Sequence, residues 1–276
     1  MTLDKAKPVR TLKLALGQQL VVGGDVEGNL ARAESQIAAA ARQGCDLIVL
    51  PECLDVGWTD PSALILAEPI PGPRVTQLSA AARRHRIFVV AGLTERAGDR
   101  IYNAAVLLDD EGQLLLTYRK INELDFAQDL YAIGDRLQVA STRLGTLAVN
   151  ICADNFPNSL DLGCALGRMG AQILLSPSSW AVEDSFEATG QPYGGLWRTA
   201  YGELARRFRM PVAGVSNVGV IRGGPWTGRR CIGSSLVFDA HGQEVVTGPC
   251  FAPDLLITEV AIYAGHPRGT AISGTL

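Results

Sequence analysis

The feature that most limits what this chain can fold into is the alternation, from end to end, of short apolar runs of strand length with longer stretches of helical spacing. Asp46-Leu47-Ile48-Val49-Leu50 is apolar after its first residue, which suits a strand covered on both faces. Residues 27–42 instead place Leu30, Ala31, Ile37, Ala38 and Ala41 at helical spacing and meet Gly44 as a stop. Further strands are predicted at 13–16, 87–91, 102–108, 114–118, 147–151, 173–175 and 211–215, with helices at 75–85, 159–168 and 196–208. Asp109-Asp110-Glu111-Gly112 reads as a hairpin turn, and 234–238, 244–247 and 255–260 as a closing meander. Strands and helices in this order imply a layered α/β architecture.

No repeat and no Pro/Gly/Ser-rich linker interrupts the 276 residues, so residues 1–276 read as a single domain. The irregular stretch 182–195 reads as a surface loop beside a pocket. Hydrophobic residues at 47% against 19% charged call for an extensive interior or a covered subunit face. A homodimer or larger homo-oligomer is therefore expected. Twenty-five Lys+Arg against 28 Asp+Glu give a net charge of −3, and Arg83-Arg84-His85-Arg86 reads as a solvated helix end, so no nucleic-acid partner is expected. There is no apolar run of about 18 residues, and the basic residues Lys5, Lys7 and Arg10 have no apolar segment behind them. Neither a membrane partner nor export is expected. The six cysteines contain no C-x-x-C pair, which fits a reducing cytoplasm and predicts no metal site.

Three polar residues stand at the ends of apolar runs, where open α/β sheets place reactive groups. Glu52 follows Leu47-Ile48-Val49-Leu50-Pro51, Lys120 follows residues 114–119, and Cys152 ends Leu147-Ala148-Val149-Asn150-Ile151. A carboxylate beside a thiol can act as general base. An ammonium beside both can hold an oxyanion.

The residues around these three, in this order, resemble the nitrilase (carbon-nitrogen hydrolase) superfamily. Gly44 to Glu52 is similar to that family's glutamate segment, Tyr118-Arg119-Lys120 to its lysine segment, and Ile151-Cys152-Ala153-Asp154-Asn155-Phe156-Pro157 to its cysteine segment. Leu174 to Trp180, Pro211 to Gly219 and Gly233-Ser234-Ser235 extend the likeness over residues 12–262. The resemblance implies a four-layer αββα sandwich that hydrolyses a nonpeptide C–N bond in a small amide, with no cofactor. Cys152 would be the nucleophile, Glu52 the base, Lys120 the oxyanion cation and the Ala153 N–H a second oxyanion donor.

Several positions depart from the family's pattern. Asn158 replaces a common glutamate, and Asn122-Glu123-Leu124 replaces a common His-Leu. The second acid that orients the lysine in many members has three candidates, Glu123, Asp125 and Asp129; counting back from Gly134-Asp135 favours Asp129. Cys152-Ala153-Asp154 in place of Cys-Trp-Glu tilts the reading toward amide or carbamoyl substrates, with Asn155, Phe156 and Trp180 expected to line the pocket. The alternatives are an N-carbamoyl amidohydrolase or nitrilase on the same triad, or a noncatalytic binding member of the fold. A serine hydrolase is disfavoured by the lack of Gly-x-Ser-x-Gly, and nucleotide binding by the lack of a Walker or Gly-x-Gly-x-x-Gly loop.

Overall fold

The computed structural model describes residues 7–187 and 193–267. Two six-stranded sheets form its centre. The first runs, edge to edge, Asp254–Ile262, Arg10–Gln18, Leu47–Val49, Phe88–Ala97, Arg100–Leu108 and Leu114–Arg119. The second runs Glu244–Thr247, Leu236–Phe238, Val212–Ser216, Ile173–Ser178, Gly145–Val149 and Val139–Thr142.

Strand alternation sorts the side chains between layers. Leu14, Leu16, Leu47, Val49 and Val90 join a core shared with Leu147, Val149 and Leu174 of the other sheet. Ala15, Ile48, Leu50, Val89 and Ala91, on the opposite face, join Leu30, Ile37 and Leu78 of the helices Val26–Arg42 and Pro73–His85. Both faces of the central strands Leu47–Val49 and Ile173–Ser178 are therefore buried, which is why residues 47–49 and 173–175 read as continuously apolar. The second sheet is covered by the helices Leu160–Arg168 and Gly195–Phe208, through residues such as Leu166, Ala200 and Leu204. The layer order is helix, sheet, sheet, helix, the expected αββα sandwich.

The closing segment differs from the expected meander. Glu244–Thr247 pairs with Leu236–Phe238 in the second sheet, but Asp254–Ile262 crosses over and pairs antiparallel with Arg10–Gln18 in the first. Strand periodicity marks both strands as half-buried and cannot assign them to different sheets. A small third sheet, Val218–Val220, Arg230–Ile232 and Ala181–Val182, lies outside the sandwich and was not foreseen. Its strands are two or three residues long, too short to give a period. Of the irregular stretch 182–195, residues 188–192 lie outside the described residues.

Candidate active site

The three expected residues converge from separate strand ends. Glu52 comes from the first sheet: the chain leaves Leu47–Val49 and is held by two backbone bonds to the next strand, Gly92 N to Pro51 O at 3.0 Å and Leu54 N to Gly92 O at 2.9 Å. A Cβ at position 92 would lie 2.5 Å from Glu52 Cα, so this approach requires glycine. The Glu52 N–H donates across to Ser178 O of the second sheet at 3.3 Å. The carboxylate thus sits where the two sheets meet.

Lys120 follows the edge strand Leu114–Arg119. Its N–H donates to Asn103 O at 2.9 Å and its C=O accepts from Gly134 N at 2.8 Å. Cys152 follows Gly145–Val149 and opens a short 3-10 turn, Cys152–Asn155, with φ +46°. A left-handed conformation at a side chain other than glycine costs about 1–3 kcal/mol and persists only where neighbours fix it. Here they do. Asp154 accepts from Ile151 N at 2.9 Å, from Asn122 N at 2.8 Å and from Tyr118 Oη at 2.7 Å, so one buried carboxylate ties the cysteine turn to the lysine segment. Cys152 N donates to Ser176 Oγ at 3.2 Å.

The side chains form one polar cluster. Lys120 Nζ lies 2.8 Å from Glu52 Oε1 and 3.3 Å from Glu123 Oε2, and Asn103 Nδ2 donates to the same Glu52 Oε1 at 2.6 Å. Glu52 Oε2 is buried without a hydrogen-bond partner. Burial opposes the charge on Lys120, but the Glu123 and Glu52 carboxylates outweigh it and hold the ammonium charged. Burial, with the charge of Glu52 second, pushes the Cys152 thiol well above its ordinary range, while Lys120 pulls the other way. Burial also raises Glu123 to about 7, against the pull of Lys120 and with the repulsion of Glu52. Two carboxylates share one cation.

Two expected assignments are corrected. Asp129 is exposed at the end of the 3-10 turn Asp125–Asp129; Glu123 is the acid against Lys120. The loop closes on itself through the Gly134 N–H, so the residue three after Lys120 folds back under the ammonium while Asp129 swings outward. Asn155 does not line the pocket. It is fully buried and exchanges hydrogen bonds with Asn150 at 2.7 and 2.9 Å while donating to Ser176 Oγ at 2.9 Å, as a buried amide must. Phe156 and Trp180 do line it.

The pocket over Cys152 has a volume of about 210 Å³ and is walled largely by aromatic rings. All four tryptophans of the chain, Trp58, Trp180, Trp197 and Trp226, line it. Trp197 stacks between Phe156, at 4.7 Å, and Trp180, at 5.1 Å, and Trp58 meets Trp226 edge-on at 5.5 Å. Sequence reasoning missed Trp58, Trp197 and Trp226 because no local pattern brings four distant tryptophans to one cavity. Asn103, inside an apolar strand, gave one faint signal: a buried amide needs partners. Among the described residues no group of three or more His, Cys, Asp or Glu is arranged to hold a metal ion, and no helix is long and apolar enough to cross a membrane.

A double-sheet sandwich with a buried Glu-Lys-Cys cluster at the strand ends defines a class, and the comparisons with known proteins agree with it. The sequence model of the carbon-nitrogen hydrolase family matches residues 13–264, and the chain belongs to that family. It is 30% identical over 241 residues to a nitrilase of Pyrococcus abyssi, covering 85% of this chain and 84% of that one. It is also 30% identical over 210 residues to an (R)-stereoselective amidase of Pseudomonas sp., covering 75% and 72%. A carbon-nitrogen hydrolase from Helicobacter pylori superposes with a TM-score of 0.81 at 21% identity, covering 91% and 89%. Against nitrilase homolog 2 of Dictyostelium discoideum and several omega-amidases, the match spans only 51% to 64% of the relatives' own length.

Proposed function

We propose that this protein hydrolyses the C–N bond of a small amide through a thioester on Cys152. The observation that carries the reading is the division of labour at Glu52: Lys120 and Asn103 hold Oε1, and Oε2 is buried with no partner, in a carboxylate whose charge acts on the Cys152 thiol. Cys152 Sγ attacks the amide carbon as its proton passes to Glu52. The carbonyl oxygen takes up negative charge opposite Lys120 and the Ala153 N–H, which stands in the first turn of a 3-10 segment and has no acceptor within that turn. Glu52 returns the proton to the nitrogen, the C–N bond breaks and ammonia or an amine leaves. Water then attacks the thioester and gives a proton to Glu52; the C–S bond breaks, the carboxylic acid departs and the proton returns to the thiol. Glu123 keeps Lys120 in place, and Glu52 relays each proton between the thiol, the leaving nitrogen and the attacking water.

An ammonia-release assay over small amides, N-carbamoyl compounds and nitriles tests the reading. Release from amides by the parent protein, lost in Cys152→Ala, is the expected result. Release confined to nitriles or N-carbamoyl compounds would move the protein to one of those activities, and no release from any of the three would point to a binding protein.

A further inference from the structure

The pocket walls carry information about the acyl group. Tryptophans come to this one cavity from four distant segments: after the Glu52 loop, after the strand Ile173–Ser178, in the first turn of Gly195–Phe208, and at the end of the 3-10 turn Gly224–Trp226. Trp58 and Trp180 are 6% and 1% exposed, so their rings are fixed walls. Charge is the second observation. Among the described residues lining the cavity Lys120 alone is charged, and it already faces two carboxylates, Glu52 and Glu123. Among these described residues no positive charge is left over for an anionic substrate. The indole N–H groups of Trp58 and Trp180 are buried and unpartnered, but a neutral donor does not offset the desolvation of a carboxylate. At about 210 Å³ the cavity falls below the roughly 300–1,000 Å³ of drug-sized sites, which limits the guest to a small molecule.

We infer that the site takes a neutral amide with a compact aromatic or branched aliphatic acyl group, packed between the tryptophan walls, and discriminates against amides bearing a carboxylate. This rests on the reading of the site as an amide-hydrolysing centre. Flat rings offer an apolar guest a large contact area that is ordered before binding, and a buried carboxylate here would meet net negative charge.

The test has two arms. In the first, ammonia release is followed with phenylacetamide, succinamide and succinamic acid, the last two differing by one charge. The expected order in kcat/KM is phenylacetamide first, succinamide second and succinamic acid last, with the extremes separated by at least about thirtyfold. In the second, phenylacetamide and succinamic acid are titrated into Cys152→Ala and tryptophan fluorescence is read, because all four indoles border the site. Phenylacetamide should perturb the emission at a concentration at least about tenfold lower than succinamic acid. If no amide is hydrolysed but this binding order holds, the amidase reading falls and the pocket inference stands. Succinamic acid matching phenylacetamide in either arm, or neither compound binding, would overturn the inference.

Discussion

Four charged or ionisable side chains within one buried cluster control each other's protons, and the sign of each influence can be tested. Glu52 raises the Cys152 thiol by its charge, so removing that charge should let the thiol ionise at lower pH. Glu52→Gln should therefore lose about a hundredfold or more in turnover while its thiolate absorbance at 240 nm appears at lower pH than in the parent. Unchanged titration would separate the two side chains. Glu123→Gln should lower kcat about tenfold to a hundredfold, whereas Asp129→Asn should leave it unchanged, because of these two acids Glu123 pairs with Lys120 and Asp129 is exposed. Glu123 also predicts a stability change. Its carboxyl stands at about 7 in the fold against an ordinary 4.5, so the fold takes up a proton. That contribution to stability is complete below about 4.5 and is lost as pH climbs through about 7. The melting temperature of Glu123→Gln should accordingly fall less between pH 5 and 8 than that of the parent.

Individual elements bring these side chains together by backbone contacts that leave no room for change. The Glu52 turn and the strand Phe88–Ala97 approach so closely that Gly92→Ala would push a methyl to 2.5 Å from both Glu52 Cα and Pro51 O. This substitution should cost about 1–3 kcal/mol of stability and displace the base, read as a lower melting temperature together with lower turnover. Asp154→Ala should be costlier, by about 3 kcal/mol, because three donors lose their buried acceptor and the left-handed Cys152 turn loses its tether. Calorimetry on the two variants checks both figures. The strands and helices themselves were largely legible, since burial on both faces makes residues 47–50 and 147–149 continuously apolar. The partner of Lys120 was not: choosing among Glu123, Asp125 and Asp129 depends on how a fifteen-residue loop, Lys120 to Gly134, folds back, and that path is tied by bonds between distant positions, Gly134 N to Lys120 O, Ala132 N to Ile101 O and Asn122 N to Asp154.

At the scale of the molecule, the sandwich explains why the site is buried and why its residues are far apart in the chain. Glu52 and Lys120 come from one sheet and Cys152 from the other, so the reactive cluster exists only when the sheets are packed. What the sequence could not convey is tertiary: the crossing of Asp254–Ile262 to the first sheet and the gathering of four tryptophans both depend on contacts between distant segments. The outer helices Leu160–Arg168 and Gly195–Phe208 pack tightly, Gly163 against Leu204 and Gly167 against Phe208, directly behind the Cys152 turn. We propose that a homodimer or larger assembly forms through this layer and stiffens that turn. Light scattering at micromolar concentration should then give at least twice the 29.4 kDa chain mass, and dilution to monomer should lower activity. A fully active monomer would contradict both parts.

The proposed hydrolysis requires a covalent acyl group on Cys152. Acid quenching during steady turnover of a reactive amide, followed by proteolysis and peptide mass spectrometry, tests it most directly. The peptide containing Cys152 should gain the mass of the acyl group, a gain absent from Cys152→Ala and accumulating before ammonia release becomes linear. An unmodified Cys152 peptide during undiminished turnover, or the acyl group on another of the chain's cysteines, would contradict it.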